Sequence, residues 1–135
     1  MFARHSNPWS AWTRWASTPL VLLPVWTRRW SHAALVAGWL LVNPVIFPKP
    51  ASDRRWATRA ILGEELWIAQ RPKDAGWTVS IATSIAAVCA IVAAWRRRLR
   101  PALTATVLQM ALTLVYWELM VRFLERHRKV PLRHA

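Results

Sequence analysis

The sequence predicts an all-α membrane protein with about four transmembrane helices and one amphipathic helix at the interface. The main observation is the run from Trp77 to Trp95, which spans 19 residues and contains no charged side chain. At ~1.5 Å per residue, such a helix covers most of a ~30 Å hydrocarbon core. In addition, basic residues and tryptophans collect at the ends of the apolar runs, where they would meet lipid headgroups.

The formal charge of +13 on 135 residues raises nucleic-acid binding as an alternative to a membrane role. The basic residues, however, form short clusters that flank apolar runs: Arg28-Arg29, Arg54-Arg55, Arg96 to Arg98, and Arg122 to Lys129. Cations in those places contact lipid phosphates and determine topology. We therefore expect membrane lipids as partners, no nucleic acid, and a single membrane domain over residues 1–135.

The first two spans are predicted at about residues 12–26 and 30–47. Asn7 is expected to cap a helix that begins at Pro8, because a side-chain oxygen there can accept the first free backbone amides. The first span is short, and Pro19 should kink or restart it. A re-entrant pair that enters and leaves on the same side would give a similar sequence.

The remaining elements are an interfacial helix at about residues 54–70 and spans at about 77–95 and 101–123. The interfacial helix, with Ser52 or Asp53 as its predicted cap, carries an apolar stripe beside charged faces. Two stripes on the last spans are candidate contact surfaces for a homo-oligomer or a larger membrane partner. They comprise Ala82, Ala86 and Ala90 on one helix, and Thr106, Gln109, Thr113 and Tyr116 on the other.

The distribution of Lys and Arg predicts that both termini face the cytoplasm. The lead, the central connection and the tail together hold 13 of these residues, whereas the two hairpin tips hold 6. The more basic side is normally cytoplasmic. The cluster from Arg96 to Arg100 opposes this orientation.

The predicted topology brings several polar side chains to the cytoplasmic end. They are His5, Asn7, Arg14, Asn43, Glu64, Glu65 and Glu118. One hypothesis is a metal or acid–base site that uses His5, Glu64 or Glu65, and Glu118. No histidine pair has metal-ligand spacing, so the sequence identifies no metal site and no cofactor. The alternative is structural: Glu118 pairs with Arg122, and Glu64 or Glu65 pairs with Arg14, Arg59 or Arg71.

Three segments carry a resemblance to a family of small prokaryotic integral membrane proteins of unknown function. The first is His5-Ser6-Asn7-Pro8-Trp9-Ser10 with Trp12-Thr13-Arg14. The second is Asn43-Pro44 with Phe47-Pro48. The third runs from Trp56 through Leu62-Gly63-Glu64 to Trp67. The resemblance implies a protein of the prokaryotic cytoplasmic membrane, and it implies that His5, Asn7, Arg14, Asn43 and Glu64 form one cluster. It implies no activity.

Three functions follow as hypotheses. The first is a non-enzymatic membrane module that binds lipid or a partner protein. The second is a small membrane enzyme that acts on a lipid-soluble substrate, with Glu64, Glu65 or His5 as catalytic candidates and Asn7, Arg14, Asn43 and Glu118 as binding candidates. The third is an oligomeric pore or transporter lined by the polar stripe of the fourth span.

Overall fold

The computed structural model describes residues 6–129, and within this range the chain is helical without a strand. A 3₁₀ turn, Thr18–Val21, lies between the first two of six α-helices. The helices are α1 (Pro8–Ala16), α2 (Leu22–Thr27), α3 (Trp30–Ile46), α4 (Trp56–Gln70), α5 (Ala75–Trp95) and α6 (Leu99–Lys129).

The start of α1 confirms the predicted cap. The Asn7 side chain accepts hydrogen bonds from the backbone amides of Trp9 and Ser10, and Pro8 occupies the first helical position. Residues 12–26 do not form one helix, because α1 ends at Ala16 and the 3₁₀ turn around Pro19 precedes α2. Proline lacks the amide that would continue an α-helix, which explains the break.

Two helices within residues 6–129, α5 and α6, are long and apolar enough to cross a membrane. They contain 21 and 31 residues. The apolar helix α3 has 17 residues, and the 3₁₀ turn with α2 covers only Thr18–Thr27. By length and composition the fold is therefore compatible with membrane insertion, and the four-span arrangement stays a prediction.

Helices α5 and α6 pack closely because the residues between them are small. Ala86, Ala90 and Ala94 on α5 are buried, as are Ala102 and Thr106 on α6. Small side chains let two helix backbones approach each other. Much of the surface predicted to contact another subunit is thus already covered within the chain.

Helix α4 lies against the second half of α6, and Gly63 sets the distance between the two backbones. A Cβ atom at Gly63 would lie 2.1 Å from the Met120 carbonyl oxygen. The predicted cap of α4 was wrong: Arg55, not Ser52 or Asp53, occupies that position without a capping side chain. Asp53 instead accepts a hydrogen bond from Arg128 at 2.6 Å.

The two ends of the molecule differ in character. At one end, α1, α4 and the part of α6 from Tyr116 onward pack together, and we call this the polar cap. At the other end, the turns Arg28-Arg29 and Arg96 to Arg98 meet, and we call these the hairpin tips. Exposed apolar side chains of α3, α5 and the first half of α6 lie between them.

The hairpin tips exchange arginine–tryptophan contacts. The Arg28 guanidinium lies 4.2 Å from the Trp95 ring centroid and donates to the Trp95 carbonyl at 2.9 Å. The Arg97 guanidinium lies 5.8 Å from the Trp26 ring centroid. Both arginines have left-handed backbones, with φ of 55° and 58°. Because each tip contacts the opposite hairpin, the two pairs of helices are joined at this end.

We predict that Gly63→Ala destabilises the protein by about 1–3 kcal/mol, the usual cost of overpacking a close contact. Gly38→Ala is the matched control, because a Cβ at Gly38 has no atom within 4 Å. Thermal unfolding of both variants in detergent checks this. Equal melting temperatures for the two variants would contradict the close α4–α6 contact.

Candidate functional site

The three motif segments contact one another in the polar cap. Ser6 accepts a hydrogen bond at its carbonyl from the Thr58 hydroxyl at 2.6 Å. The Asn7 amide donates to the Pro48 carbonyl at 2.9 Å. The Ser10 hydroxyl donates to Asn43 Oδ1 at 2.8 Å. The first segment is therefore bonded to both the second and the third.

Asn43 is the centre of this network. Its side chain is fully buried, although it lies in the last turn of a largely apolar helix. Oδ1 accepts from Ser10, and Nδ2 donates to the Thr13 hydroxyl at 2.7 Å. The amide thus has partners for both of its polar atoms, as a buried polar group requires. This arrangement ties the end of α3 to α1.

Glu64 lies on the part of α4 that faces α6. Its carboxylate accepts a hydrogen bond from the Tyr116 hydroxyl at 3.2 Å. Burial raises the pKa of Glu64, while the Tyr116 hydrogen bond and the charge of Arg14 oppose that rise. Burial likewise lowers the pKa of Arg14, which the charge of Glu64 partly offsets. Glu64, Tyr116 and Arg14 are therefore electrostatically coupled, and the carboxyl gains protons more readily than usual.

Glu118 forms its hydrogen bonds with other partners than Glu64 and Tyr116 do. Glu118 accepts hydrogen bonds from Trp56 Nε1 at 2.7 Å and from Arg122 at 2.9 Å, and the latter confirms the predicted ion pair. Glu65 is exposed. His5 lies outside the described residues. Of the three arginines predicted as alternative partners of Glu64 or Glu65, Arg59 pairs instead with Glu125 at 2.5 Å.

A tryptophan cluster in the polar cap was not foreseen. Trp12 stacks on Trp56 at 5.8 Å between ring centroids and meets Trp117 edge-on at 5.6 Å. Trp15 meets Trp12 edge-on and donates to the Met110 carbonyl. Trp12, Trp15 and Trp56 belong to the tryptophans at the ends of apolar runs, for which the sequence predicts contact with lipid headgroups. The spacing of the tryptophans along α1 and along α4 indicates that each helix presents them on one face. No local sequence pattern identifies Trp117 on α6 as their partner.

Five of the cavities along residues 6–129 are lined by other side chains, and Glu64, Asn43 and Asn7 line none of these five. Among the described residues, no group of three His, Cys, Asp or Glu side chains could hold a metal ion. The hydroxyls and amides of the motifs bond mainly to one another. The arrangement is suited to holding four helices in place, and Glu64 with Tyr116 is its hydrogen-bonded titratable pair.

We predict that Asn43→Ala lowers the free energy of unfolding by about 1–3 kcal/mol, because the Ser10 hydroxyl loses its buried acceptor. In a double-mutant cycle with Ser10→Ala, the coupling should be about 0.5–3 kcal/mol. Ser84→Ala is the control, since the exposed Ser84 hydroxyl bonds only to a carbonyl of its own helix. Additive effects of the first two substitutions would contradict the network.

We predict that Glu64 makes the protein less stable as pH rises. A carboxyl whose pKa is raised by folding binds its proton more tightly in the folded state, so stability falls as pH climbs from 4.5, the ordinary value, through the raised pKa. Glu64→Gln keeps an acceptor for Tyr116 but cannot titrate. The melting temperature of the native protein relative to this variant should therefore decline as pH rises from 4.5 through the raised pKa. A pH-independent difference would contradict the buried carboxyl.

Comparison with known proteins gives one match. No curated protein matches the chain, and no solved structure matches it. Residues 1–92 match the family of unknown function DUF6653, which includes all three motif segments, α1 to α4 and most of α5. This match covers more than half of the 135 residues. The chain therefore belongs to the DUF6653 family, whose function is unknown.

Proposed function

We propose that the protein is a four-span integral membrane module that binds lipid or a partner protein and catalyses no reaction. The observation that carries the proposal is the burial of the motif side chains. Ser10, Asn43 and Thr58 are 0% exposed and hydrogen-bonded within the chain. A side chain in that state can hold helices together but cannot reach a substrate. The surface between the cap and the tips is apolar, which suits lipid.

Contacts at both ends support four spans. Arg28 reaches Trp95, the last residue of α5, so the first hairpin extends as far as the second at the tips. At the opposite end, Asn43 near the end of α3 is bonded to α1 within the polar cap. If α5 crosses the bilayer, the α2–α3 hairpin covers the same depth. A re-entrant pair would end short of the tips.

The length of α6 supports the same placement. Its 31 residues measure roughly 46 Å, which is more than the ~30 Å of a hydrocarbon core. The excess lies in the polar cap, where α6 contacts α4. The excess of Lys and Arg in the cap segments and the tail favours the cytoplasm for this end and for both termini.

A membrane enzyme is the second candidate, and the observation that favours it is the titratable pair of Glu64 and Tyr116. A carboxyl with a raised pKa is a feature of many acid–base sites. A pore lined by the polar stripe of α6 has less support. Thr106 is buried and bonded to the Ala102 carbonyl, and Tyr116 donates to Glu64.

Cysteine labelling of cells tests the topology. Cys89 is the one native cysteine and is exposed on the apolar face of α5. In a Cys89→Ala background, Arg98→Cys and Arg29→Cys at the two tips should react with a membrane-impermeant maleimide in intact spheroplasts. Lys49→Cys, between α3 and α4, should react only after permeabilisation. Native Cys89 should react in neither condition while the bilayer is intact, because lipid would cover it.

Each outcome bears on a different part of the proposal. Labelling of Arg98→Cys without Arg29→Cys would favour a re-entrant first hairpin. Labelling of Lys49→Cys alone in intact spheroplasts would show that the protein has the opposite orientation, with the polar cap outside. Reaction of native Cys89 in intact membranes would argue against α5 as a span.

A further inference from the structure

An open groove of about 660 Å³ lies between the hairpin tips. Its walls are apolar and come from both hairpins: Val25 and Ala33 on one side, and Ile91 and Val92 on the other. A volume of this size is typical of sites that hold small molecules. The groove therefore has room and the right polarity for part of an acyl chain.

Arginines line the mouth of this groove. Arg28 is already engaged, because it lies over the Trp95 ring and donates to the Trp95 carbonyl. Arg29 and Arg96 line the same groove and are exposed. Within residues 6–129, neither of them forms an ion pair with an acidic side chain. Two cations at the mouth of one apolar groove are available to an anion from outside the chain.

The distribution of acidic residues makes this charge unusual. All six Asp and Glu residues lie between Asp53 and Asp74 or between Glu118 and Glu125, which is the part of the chain in or beside the polar cap. The tips and the first turn of α6 carry Arg28, Arg29, Arg96, Arg97, Arg98 and Arg100 with no acid nearby in sequence. An uncompensated cluster at a membrane surface attracts anionic headgroups. A bound anionic lipid also explains why the tips are basic, although the overall distribution of Lys and Arg places the polar cap, and not the tips, on the cytoplasmic side.

We propose that this groove binds an acidic phospholipid, with one acyl chain against the walls and the phosphate between Arg29 and Arg96. The inference rests on the proposed function, because it needs the tips to lie at a membrane surface. It adds the chemical class of the lipid, an acidic phospholipid, and the groove where that lipid binds. Guanidinium groups suit a phosphate, to which each can donate two hydrogen bonds.

The test is native mass spectrometry of the full chain released from nanodiscs that contain equal amounts of phosphatidylglycerol and phosphatidylcholine. The native protein should retain phosphatidylglycerol preferentially. Arg29→Gln with Arg96→Gln should reduce that preference by roughly tenfold or more, as expected for two cations near a phosphate. Arg98→Gln with Arg100→Gln is the matched control: it removes the same charge from the tip but not from the groove.

A second variant separates the groove from the charge. Ala33→Trp fills the groove and leaves every arginine in place, so it should also reduce lipid retention. Soluble glycerol phosphate should not displace the lipid, because it has no chain to occupy the walls. Displacement by glycerol phosphate, or undiminished retention in Ala33→Trp, would overturn the role of the groove.

Other outcomes overturn the proposal in distinguishable ways. Equal retention of the two lipids by the native protein, or an equal loss in the control pair, would overturn the lipid site while leaving the membrane module intact. Failure of the protein to enter nanodiscs at all would overturn both. Melting temperatures of the variants, measured on the same samples, identify any that are misfolded.

Discussion

The need to satisfy one buried amide organises the polar cap. Asn43 lies near the end of an apolar helix, where an unpaired buried amide would cost about 1–3 kcal/mol of stability. Its two polar side-chain atoms form hydrogen bonds with Ser10 and Thr13, which are one turn apart on α1. That requirement brings α1 beside α3. Asn7, held as the cap of α1, then reaches the Pro48 carbonyl and directs the chain toward α4.

The second organising contact is the approach of α4 to α6 at Gly63. Because no side chain separates the helices there, neighbouring residues are close enough to pair across the contact. Trp56 reaches Glu118, Glu64 receives the Tyr116 hydroxyl, and Arg59 reaches Glu125. The last pair is partly exposed, so it adds little energy by itself. Together with the other two contacts it fixes the register of α4 against α6, because a shift of one turn along α6 would break all three.

Sequence patterns predicted the local elements well and the long-range pairs poorly. Composition identified the helical run that became α5, and the Asn7-Pro8 dipeptide identified the start of α1. Both depend on residues close in the chain. The motifs also indicated which segments share an end of the molecule. Asp53 illustrates the limit: an acidic residue before a helix is a common cap, yet its partner is Arg128. Only the docking of α4 on α6 determines that choice.

The same distinction holds for the candidate site. Glu64 could be singled out as an acid on an interfacial helix, but Ser10 and Thr13 carry no signal beyond their place in the first motif. Tyr116 belonged to a polar stripe that indicated only a face toward protein. The pairing of α4 with α6 determines which carboxyl that face meets, and Glu64 and Tyr116 are 52 positions apart in sequence. Such pairings require the packed structure.

The exchange of arginines between the hairpin tips has a consequence for the order of synthesis. Arg28 and Trp95 are 67 positions apart, so at translation rates of about 5–20 residues per second the partner follows by roughly 3–13 seconds. During that interval the first hairpin exists without the contact that closes its tip. Joining of the two hairpins is therefore a late step in biogenesis, and the first hairpin must persist on its own until the second is made.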